Sequence, residues 1–534
     1  MSGDWTPFEI PILLGENGID ALTKPVYEKG VMRRCRNYHL GVNGSKKREG
    51  TQRYQANTTA MNGTEDVQSF AMYKWSGTRH LIGVAGGKMY RENSGAWTEI
   101  GSALTMTSGP DNSYRWTQFH DGTNANLIGT DGTNTPFKWN GSGNAAVLSG
   151  TPPTKAMDVE EFEGRVFAIN TDAGPTITEF SDDGTEDSWG SGQAFHCSRA
   201  SDGVALVKHT DSVLLAIHEE SIHAIRFNFV ETGLGNSYFI RDLVDGAHGS
   251  ISKTSCINHR GWTYFVASDG IYRIPPAGAE NQLPPPAEYI SRPIEHFWRE
   301  LNVTRIKYIS AFARGRPWNE VVFLCTTGTN TQHNAVVVFN TEIAELYGPE
   351  VAWTIFDSVS GYHKYNCGID WQDSSDRHIT MLGGYDSVAW EAWGNGQYST
   401  GYKDGGSVGQ SITSELTTGY LACNMPSWTK GLRQFEFDME IQGGRDFTLI
   451  VYGTNDATAS VTKTSTVDAA GDALTTSFTF GSSFFAVDGV VDHAIEVNQS
   501  SRYFQASITE AAAAQPHSLH NMRLMHVPEF IGVH

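Results

Sequence analysis

Strand-forming segments recur through most of this chain in packets of about 30 to 45 residues. Each packet holds an apolar strand, a turn of Gly, Asp or Asn, and a further strand that ends near an aromatic side chain. GRVFAIN at 164–170 and AVVVFN at 335–340 are clear examples. Repetition at this length is typical of β-propeller blades, which bury their faces only against neighbouring blades. The sequence therefore predicts an all-β fold built on a propeller.

The packets predict about seven blades within residues 66–395, with six or eight blades as the alternatives that the spacing allows. Their bounds are 70–100, 114–148, 156–197, 204–243, 251–289, 306–356 and 367–393. Helical periodicity is confined to one short stretch, residues 294–301.

The pattern changes after the last packet. Residues 396–410 belong to a Gly-rich stretch with almost no apolar side chains, which predicts a linker. Beyond it, RQFEFDMEIQ alternates cleanly, as do RDFTLIVYG and SRYFQASIT, and residues 468–483 between them predict a long hairpin. One face of the first segment carries Phe435, Phe437, Met439 and Ile441. We therefore expect a β-sandwich at 411–534.

Residues 1–65 differ from both regions. They predict an irregular segment with basic clusters, which are Arg33-Arg34, Arg36 and Lys46-Lys47-Arg48. These clusters fit either phosphate contacts or acidic surfaces of a neighbouring subunit. Because the chain is so acidic, we interpret the segment as an arm that docks on another subunit.

The formal net charge is −20. Such a surface repels nucleic acid at long range, which argues against a general DNA-binding protein but allows a passage through which DNA slides. The N-terminus, beginning with residues 1–5, lacks the basic and apolar regions of a secretory signal, so we expect none. No apolar run approaches the roughly 20 residues of a membrane helix. The six scattered cysteines predict reduced, mostly buried thiols in a protein folded in a cytoplasm.

The chain offers little that points to catalysis. His218 and His223 are one residue too far apart for a zincin motif, and an odd offset places them on opposite faces of a strand. His517 and His520 lack a third ligand and are interpreted as solvated loop residues. The acidic stretch at 181–189 fails the spacing of a sialidase Asp box, so it predicts a β-turn with Trp189 packed beneath it.

Carboxylate pairs such as Glu160-Glu161 and Glu219-Glu220 are common here, and no pattern selects one as acid and base. Phosphate-binding loops, nucleophile elbows and dinucleotide fingerprints do not occur in the sequence. We therefore predict no catalytic, cofactor-binding or metal-binding residues and no enzyme activity.

The order of the packets resembles one protein family. The segment NGIDALTKPVYEKGVMRRCRNYHLGVNGSKKREG contains an Arg-Asn pair (Arg36-Asn37) and a basic ending (Arg48-Glu49-Gly50), with Glu49 where Pro is commoner. YRWTQFHDGTNANLIGTDGTNTPFKWNGSG follows, and then TPPTKAMDVEEFEGRVFAIN, FSDDGTEDSW, SVLLAIHEESIHAIRF and GSISKTSCINHRGWTYFVASDGIYRI. This colinear order is similar to the tail hub or nozzle β-propellers of short-tailed phages, the group related to tail tubular protein B and packaged-DNA stabilisation proteins.

The resemblance implies a structural role. It implies a homo-hexameric ring below the adaptor and portal that closes the DNA exit channel and anchors fibres, spikes or a needle-like plug. The genome would pass without specific binding, the protein would not insert into a membrane, and it would lie in the virion after assembly in the host cytoplasm. Our alternative hypothesis is a carbohydrate-binding or glycoside-cleaving propeller, since propellers host many functions.

Overall fold

The structure is a computed structural model of the chain. It describes residues 6–10, 14–17, 32–54, 61–94, 96–190, 192–196, 201–228, 238–279, 282–357, 364–373, 375–393, 403–404, 410–421, 423, 429–441, 445–453, 460–467, 491–501, 503–510 and 517–528. The predicted hairpin at 468–483 and most of the predicted linker at 396–410 lie outside the described residues.

The N-terminal segment, predicted to be irregular, contributes five short strands in the described residues. They are β1 (Thr6–Ile10), β2 (Met32–Arg36), β3 (Tyr38–His39), β4 (Ser45–Lys47) and β5 (Thr51–Arg53). Each pairs with a strand from a distant part of the chain or with its neighbour in this segment. Sequence alone missed these strands because most are too short to show alternation.

Five four-stranded antiparallel sheets follow in chain order, and we name them blades 1 to 5. Blade 1 is β6–β9 (Val67–Trp75, Thr78–Ala85, Lys88–Asn93, Ala96–Glu99), and blade 2 is β10–β13 (Arg115–His120, Ala125–Thr130, Phe137–Trp139, Ala146–Val147). Blade 3 is β14–β17 (Ala156–Phe162, Arg165–Thr171, Gly174–Phe180, Ala194–His196), and blade 4 is β18–β21 (Gly203–Thr210, Val213–His218, Ile222–Asn228, Tyr238–Asp245). Blade 5 is β22–β25 (Ile257–His259, Trp262–Val266, Ile271–Ile274, Glu288–Tyr289).

The next four strands form what we name the joining meander, β26–β29 (Ser310–Arg314, Glu320–Cys325, Ala335–Asn340, Trp353–Phe356). Blade 6 then comprises β30 (Tyr365–Gln372), β31 (His378–Gly384) and β32 (Ala389–Ala392), with β5 as its fourth strand. A strand from the N-terminal segment thus completes the last blade.

Six four-stranded blades are therefore present in the described residues, rather than the seven that we expected. The difference lies in the packet at 306–356. Its strands belong to a nine-stranded sheet, because β2 pairs in parallel with β29 and carries the sheet on into the C-terminal region. First strands contact one another in a closed circle, in which β26 fills the place between β22 and β30.

The helices are short. The predicted helical stretch at 294–301 contains α1 (Glu295–Trp298), and α2 (Thr341–Tyr347) was not anticipated. The side chain of Asn340 caps α2 by accepting a hydrogen bond from the backbone N–H of Ile343. The described residues also form four 3₁₀ helices, which are Lys253–Ser255, Arg292–Ile294, Val303–Tyr308 and Pro349–Val351.

The C-terminal strands belong to two large sheets and one two-stranded sheet. They are β33 (Lys403–Asp404), β34 (Gln410–Ser411), β35 (Ser414–Thr418), β36 (Lys430–Ile441), β37 (Arg445–Gly453), β38 (Ser460–Val467), β39 (Val491–Ser501), β40 (Phe504–Glu510) and β41 (His517–Pro528). The nine-stranded sheet runs β26-β27-β28-β29-β2-β35-β40-β37-β38, and a six-stranded sheet contains β3-β4-β41-β36-β39 with β1 on β41. β33 and β34 pair with each other.

The hydrophobic core consists of several clusters that lie between neighbouring sheets. Between adjacent blades, apolar side chains of both partners form separate clusters, such as Tyr73 and Ile82 of blade 1 with Leu127 and Trp139 of blade 2. The largest cluster joins the joining meander and blade 5 to the N-terminal and C-terminal strands. Phe435, Phe437 and Met439 are buried in it as the alternation predicted. Each blade therefore packs against its neighbours through its own cluster, and the largest cluster holds the N-terminal and C-terminal strands to the propeller.

Candidate functional site

Charged side chains from several blades meet along the propeller axis in the described residues. The first strands of the six blades, and β26, each lie at an edge of their own sheet. Charged and polar side chains on these strands reach from one blade to the next. The axis was not predicted as a site from the sequence, because its residues come from packets far apart in the chain.

Blades 2, 3 and 4 meet at one carboxylate. The Arg115 Nε of blade 2 donates to Oδ2 of Asp158 in blade 3 at 3.0 Å. The backbone N–H of Leu206 in blade 4 donates to the same oxygen at 2.9 Å. Asp158 is fully buried, so these donors replace the water that the carboxylate loses on folding.

Two further contacts lie farther along the same strand. The hydroxyl of Thr117 donates to Glu160 at 2.8 Å, and the ammonium of Lys208 lies 3.0 Å from Glu161. Burial and the neighbouring charge of Asp158 raise the pKa of Glu160 to about 7. Asp158 and Glu160 are two residues apart on β14, so both face the same side of the strand and repel each other when both are ionised.

Lys253, next to blade 5, reaches blade 2. Its ammonium donates to the backbone carbonyl of Asp131 at 3.2 Å. Burial lowers the pKa of Lys253 to about 8, although Asp158 and Asp131 favour the charged form. Of the two lysines here, Lys208 has a carboxylate partner and Lys253 makes its hydrogen bond to a carbonyl.

Residues 101–113, which connect blades 1 and 2, form a segment that we name the axial loop. Gln68, at the start of β6, donates to the carbonyls of Thr107, Gly109 and Asn112 at 2.9, 3.0 and 2.7 Å. Arg305 makes a two-pronged ion pair with Asp111, at 2.8 and 2.5 Å. The axial loop is therefore fastened to blade 1 and to the 3₁₀ helix that precedes the joining meander.

Asp131 also holds the axial loop. Its Oδ2 accepts hydrogen bonds from the backbone N–H of Thr107 at 3.0 Å and from the Thr107 hydroxyl at 2.8 Å. Oδ1 accepts from the backbone N–H groups of Thr133 and Asn134. Burial alone would raise the pKa of Asp131, but the hydrogen bonds from Asn134, Thr133 and Thr107 outweigh it and hold the pKa below its ordinary value.

A cavity of about 300 Å³, which we name the axial cavity, lies next to Gln68. β6, β10, β26 and β30 line it, together with Tyr114, Leu127 of β11 and Thr254. Arg115 is the one ionisable side chain with a charged head group among the lining residues in the described chain, and no Asp or Glu lines it. Aromatic side chains are present, but the described cavity lacks the carboxylate pair of a glycoside hydrolase.

The histidines singled out in the sequence lie in strands. His218 Nδ1 contacts the carbonyl of Ser201 at 3.0 Å, and His223 Nε2 contacts the Ser221 hydroxyl at 3.3 Å. His517 was predicted as a solvated loop residue, which is wrong, because β41 lies inside the six-stranded sheet and His517 is buried against Tyr38. His520 contacts the carbonyl of Asn43 at 2.6 Å. Within the part of the chain that is described, no three His, Cys, Asp or Glu side chains group as a metal site.

The acidic stretch at 181–189 forms the turn between β16 and β17. Asp182 accepts a hydrogen bond from the Ser188 hydroxyl at 2.5 Å. Trp189 packs against the cluster between blades 2 and 3, so the prediction of a turn above a packed Trp is confirmed. Of the carboxylate pairs, Glu160 and Glu161 lie on the axis, whereas Glu219 and Glu220 lie at a turn of blade 4. Five cysteines, Cys35, Cys256, Cys325, Cys367 and Cys423, are buried and free.

The basic residues of the N-terminal segment have partners within the chain. Lys47 lies 2.5 Å from Glu510, and both side chains are fully buried. Arg48 makes a two-pronged pair with Asp404, at 2.8 and 2.6 Å. Our interpretation of these two residues as contacts to another subunit or to phosphate is therefore wrong, since neither is exposed.

Two more buried groups extend this arrangement, which we name the N-terminal junction. Glu16 contacts Arg36 at 3.3 Å and His296 at 2.7 Å. His39 contacts Glu320 at 2.8 Å through Nδ1, and burial lowers the pKa of His39 to about 4. A neutral imidazole that donates from Nδ1 fits the absence of a hydrogen-bond partner at its Nε2 in the described chain.

Similar solved structures include β-propeller domains. The WD40 β-propeller domain of Doa1 is 11% identical over 64% of this chain and 97% of that chain, with a TM-score of 0.37. The closed circle of sheets in the described residues shows that this chain contains a β-propeller. The propeller is also similar to the β-propeller domain of Myceliophteria thermophila Cps50 (Swd1), which is 10% identical over 65% of this chain and 100% of that one, with a TM-score of 0.38. Chaetomium thermophilum Raptor is 10% identical over 66% of this chain and 29% of its own length, with a TM-score of 0.38.

No family model and no curated protein matches the chain. Among the described helices, none is long and apolar enough to span a bilayer.

Proposed function

We propose that this chain is a structural subunit of the tail nozzle of a short-tailed phage, and that it forms a homo-hexameric ring that closes the DNA exit channel below the adaptor. The proposal rests on the order of the sequence packets, which is similar to that of the nozzle propellers of short-tailed phages. In this view the ring also anchors fibres, spikes or a plug, lies in the virion, and lets the genome pass without specific binding.

The way the propeller is joined to the rest of the chain supports a structural role. The nine-stranded sheet runs without a break from the joining meander through β2 to β35 and β40. The N-terminal junction adds buried ion pairs between segments more than 300 residues apart, such as Arg48 with Asp404. A connection of this kind resists bending better than a flexible linker, which suits a subunit exposed to the pressure of packaged DNA.

We further propose that the C-terminal strands form a β-sandwich. The six-stranded sheet would supply one layer, and β35, β40, β37 and β38 would supply the other. Phe437 of the first sheet lies 5.8 Å from Phe447 of the second, measured between ring centroids, which supports face-to-face packing.

The assembly state tests the proposed function. The full-length protein, alone and mixed with the phage's tail adaptor, is examined by light scattering and negative-stain microscopy. We expect a six-fold ring, or a monomer that forms one only on the adaptor. A stable monomer that ignores the adaptor would overturn the proposal, and a glycan-binding screen would then test the alternative function.

A further inference from the structure

The axial cavity has features that a structural role does not require. Four of the strands that line it, β6, β10, β26 and β30, lie at the edges of their sheets. In the described residues, each pairs with one strand on its outer side and with none on its inner side. Some backbone groups along these edges already bond to side chains, as the carbonyl of Tyr114 accepts from the Ser69 hydroxyl, and the other groups that face the cavity can pair with a guest.

We propose that the axial cavity binds an extended segment of a partner polypeptide, and that Arg115 holds an acidic side chain of that segment. The proposal concerns a single subunit and does not depend on the proposed nozzle function.

The free edges favour a peptide over a small rigid ligand. An extended chain can satisfy unpaired strand edges with its own backbone groups, as in β-strand addition. A cavity of about 300 Å³ is too small for a folded element but accommodates a few extended residues. Ser69, Thr117, Gln118 and Ser310 add polar groups along the wall.

The charge of the cavity wall favours an acidic guest. The formal charge of the chain is −20, yet Arg115 lines this cavity and no carboxylate among the described residues does, although Asp158 pairs with Arg115 from blade 3. The guanidinium carries five N–H donors, of which the one on Nε serves Asp158 and one on Nη2 reaches the backbone carbonyl of Leu206 at 3.5 Å. The other N–H groups, on Nη1 and Nη2, can still donate to a carboxylate.

The axial loop holds one residue of the cavity wall in place. Gln68, which lines the cavity, is bound through its amide to three carbonyls of the axial loop.

Fluorescence polarisation of a labelled peptide tests the proposal. The probe is Gly-Thr-Asp-Thr-Gly with blocked ends, compared with the same peptide carrying Asn or Lys in place of Asp. We expect the Asp peptide to bind at least about 10-fold more tightly than the Asn peptide, as the loss of one charged hydrogen-bonded pair predicts, and the Lys peptide not to bind. Equal binding of all three peptides, or no binding of any, would overturn the proposal.

A pair of matched variants locates the site. Met72 lines the cavity and is only partly buried, so Met72→Trp should fill the cavity and abolish binding. Met157 is also a partly buried methionine on a first strand but does not line the cavity, so Met157→Trp should retain binding. Both proteins are checked by circular dichroism and thermal unfolding before use. Unchanged binding by folded Met72→Trp would place the peptide elsewhere and refute the assignment.

The variant Arg115→Lys tests the role of the guanidinium. It keeps a positive charge opposite Asp158 but loses the planar fork. We expect the roughly 10-fold preference for the Asp peptide over the Asn peptide to shrink to about 2-fold or less. A preference that stays at its wild-type value would show that Arg115 does not hold the acidic side chain.

Discussion

The N-terminal junction and the propeller axis both place charged side chains inside the protein, but they arrange them differently. In the N-terminal junction, buried cations pair directly with carboxylates, as Lys47 does with Glu510 and Arg48 with Asp404. On the axis, Asp158 and Glu160 lie on one strand beside Arg115, and Lys253 contacts a carbonyl. The direct pairs fix how distant segments meet, whereas the shared charges of the axis leave groups that titrate near neutral pH.

Removing one partner of a junction pair should have the largest effect on stability. Arg48→Met leaves the carboxylate of Asp404 buried beside fewer donors, and we expect the free energy of unfolding to fall by about 3–5 kcal/mol. Chemical denaturation measures the loss. The matched control is Lys88→Met, which removes the surface pair with Glu99 and should cost less than about 1 kcal/mol. Similar losses in both variants would contradict the contrast drawn between buried and exposed pairs.

A turn sequence that occurs twice in the chain allows a controlled test of how Asp131 holds the axial loop. DGTN occurs at Asp121 and again at Asp131, but only Asp131 also binds the axial loop through Thr107. We expect Asp131→Ala to lower the free energy of unfolding by about 2–3 kcal/mol and Asp121→Ala by about 0.5–1 kcal/mol. Hydrogen exchange of residues 101–113 should accelerate only in Asp131→Ala. Equal exchange in both variants would show that Asp131 does not fasten the loop.

The pH dependence of stability tests whether Glu160 takes up a proton beside Asp158 in the folded protein. The pKa of Glu160 is about 7 in the folded protein and near the ordinary 4.5 when unfolded, so the folded state binds the additional proton between these values. This contribution to stability is therefore complete below about pH 4.5 and is lost as the pH rises through 7. Glu160→Gln should remove the decline, which we expect to be about 2–3 kcal/mol between pH 5 and pH 8. Thermal unfolding from pH 5 to pH 8 measures it, and an unchanged slope would refute the assignment.

The smallest effect is expected for the axial pair between Lys208 and Glu161. Both side chains are partly exposed, at 35% and 24%, so water and salt screen their attraction. Lys208→Met should change the free energy of unfolding by about 0.2–1 kcal/mol, and the change should vanish in high salt. A fall in the free energy of unfolding as large as that of Arg48→Met would mean that water is excluded from this pair as fully as from the N-terminal junction.

Much of the propeller was predictable from the sequence, because blades are local units. Strands of one blade are neighbours in the chain, and their apolar runs and turns are visible in a single window, as in GRVFAIN at 164–170. Blade 6 shows the limit of such reasoning. Its fourth strand is β5, more than 300 residues earlier, and three residues without alternation give no signal of a strand.

The candidate site was not predictable for a related reason. Arg115, Asp158 and Lys253 belong to three different packets, and each looks like an ordinary surface residue within its own strand or loop. The repeated DGTN indicated two turns, but not that one of them would bind the axial loop. Such information depends on which blades face each other, and no single packet carries it.

The sequence by itself determined the all-β class, the blade-by-blade plan and the buried alternation of Phe435, Phe437 and Met439, because these depend on contacts between residues close in the chain. Only the tertiary structure decided the number of four-stranded blades, the burial of Lys47, Arg48 and His517, and the charges on the axis. Those features depend on pairing between distant segments. A buried charge and a solvated one look the same in a sequence, and only the partner that folding brings to it distinguishes them.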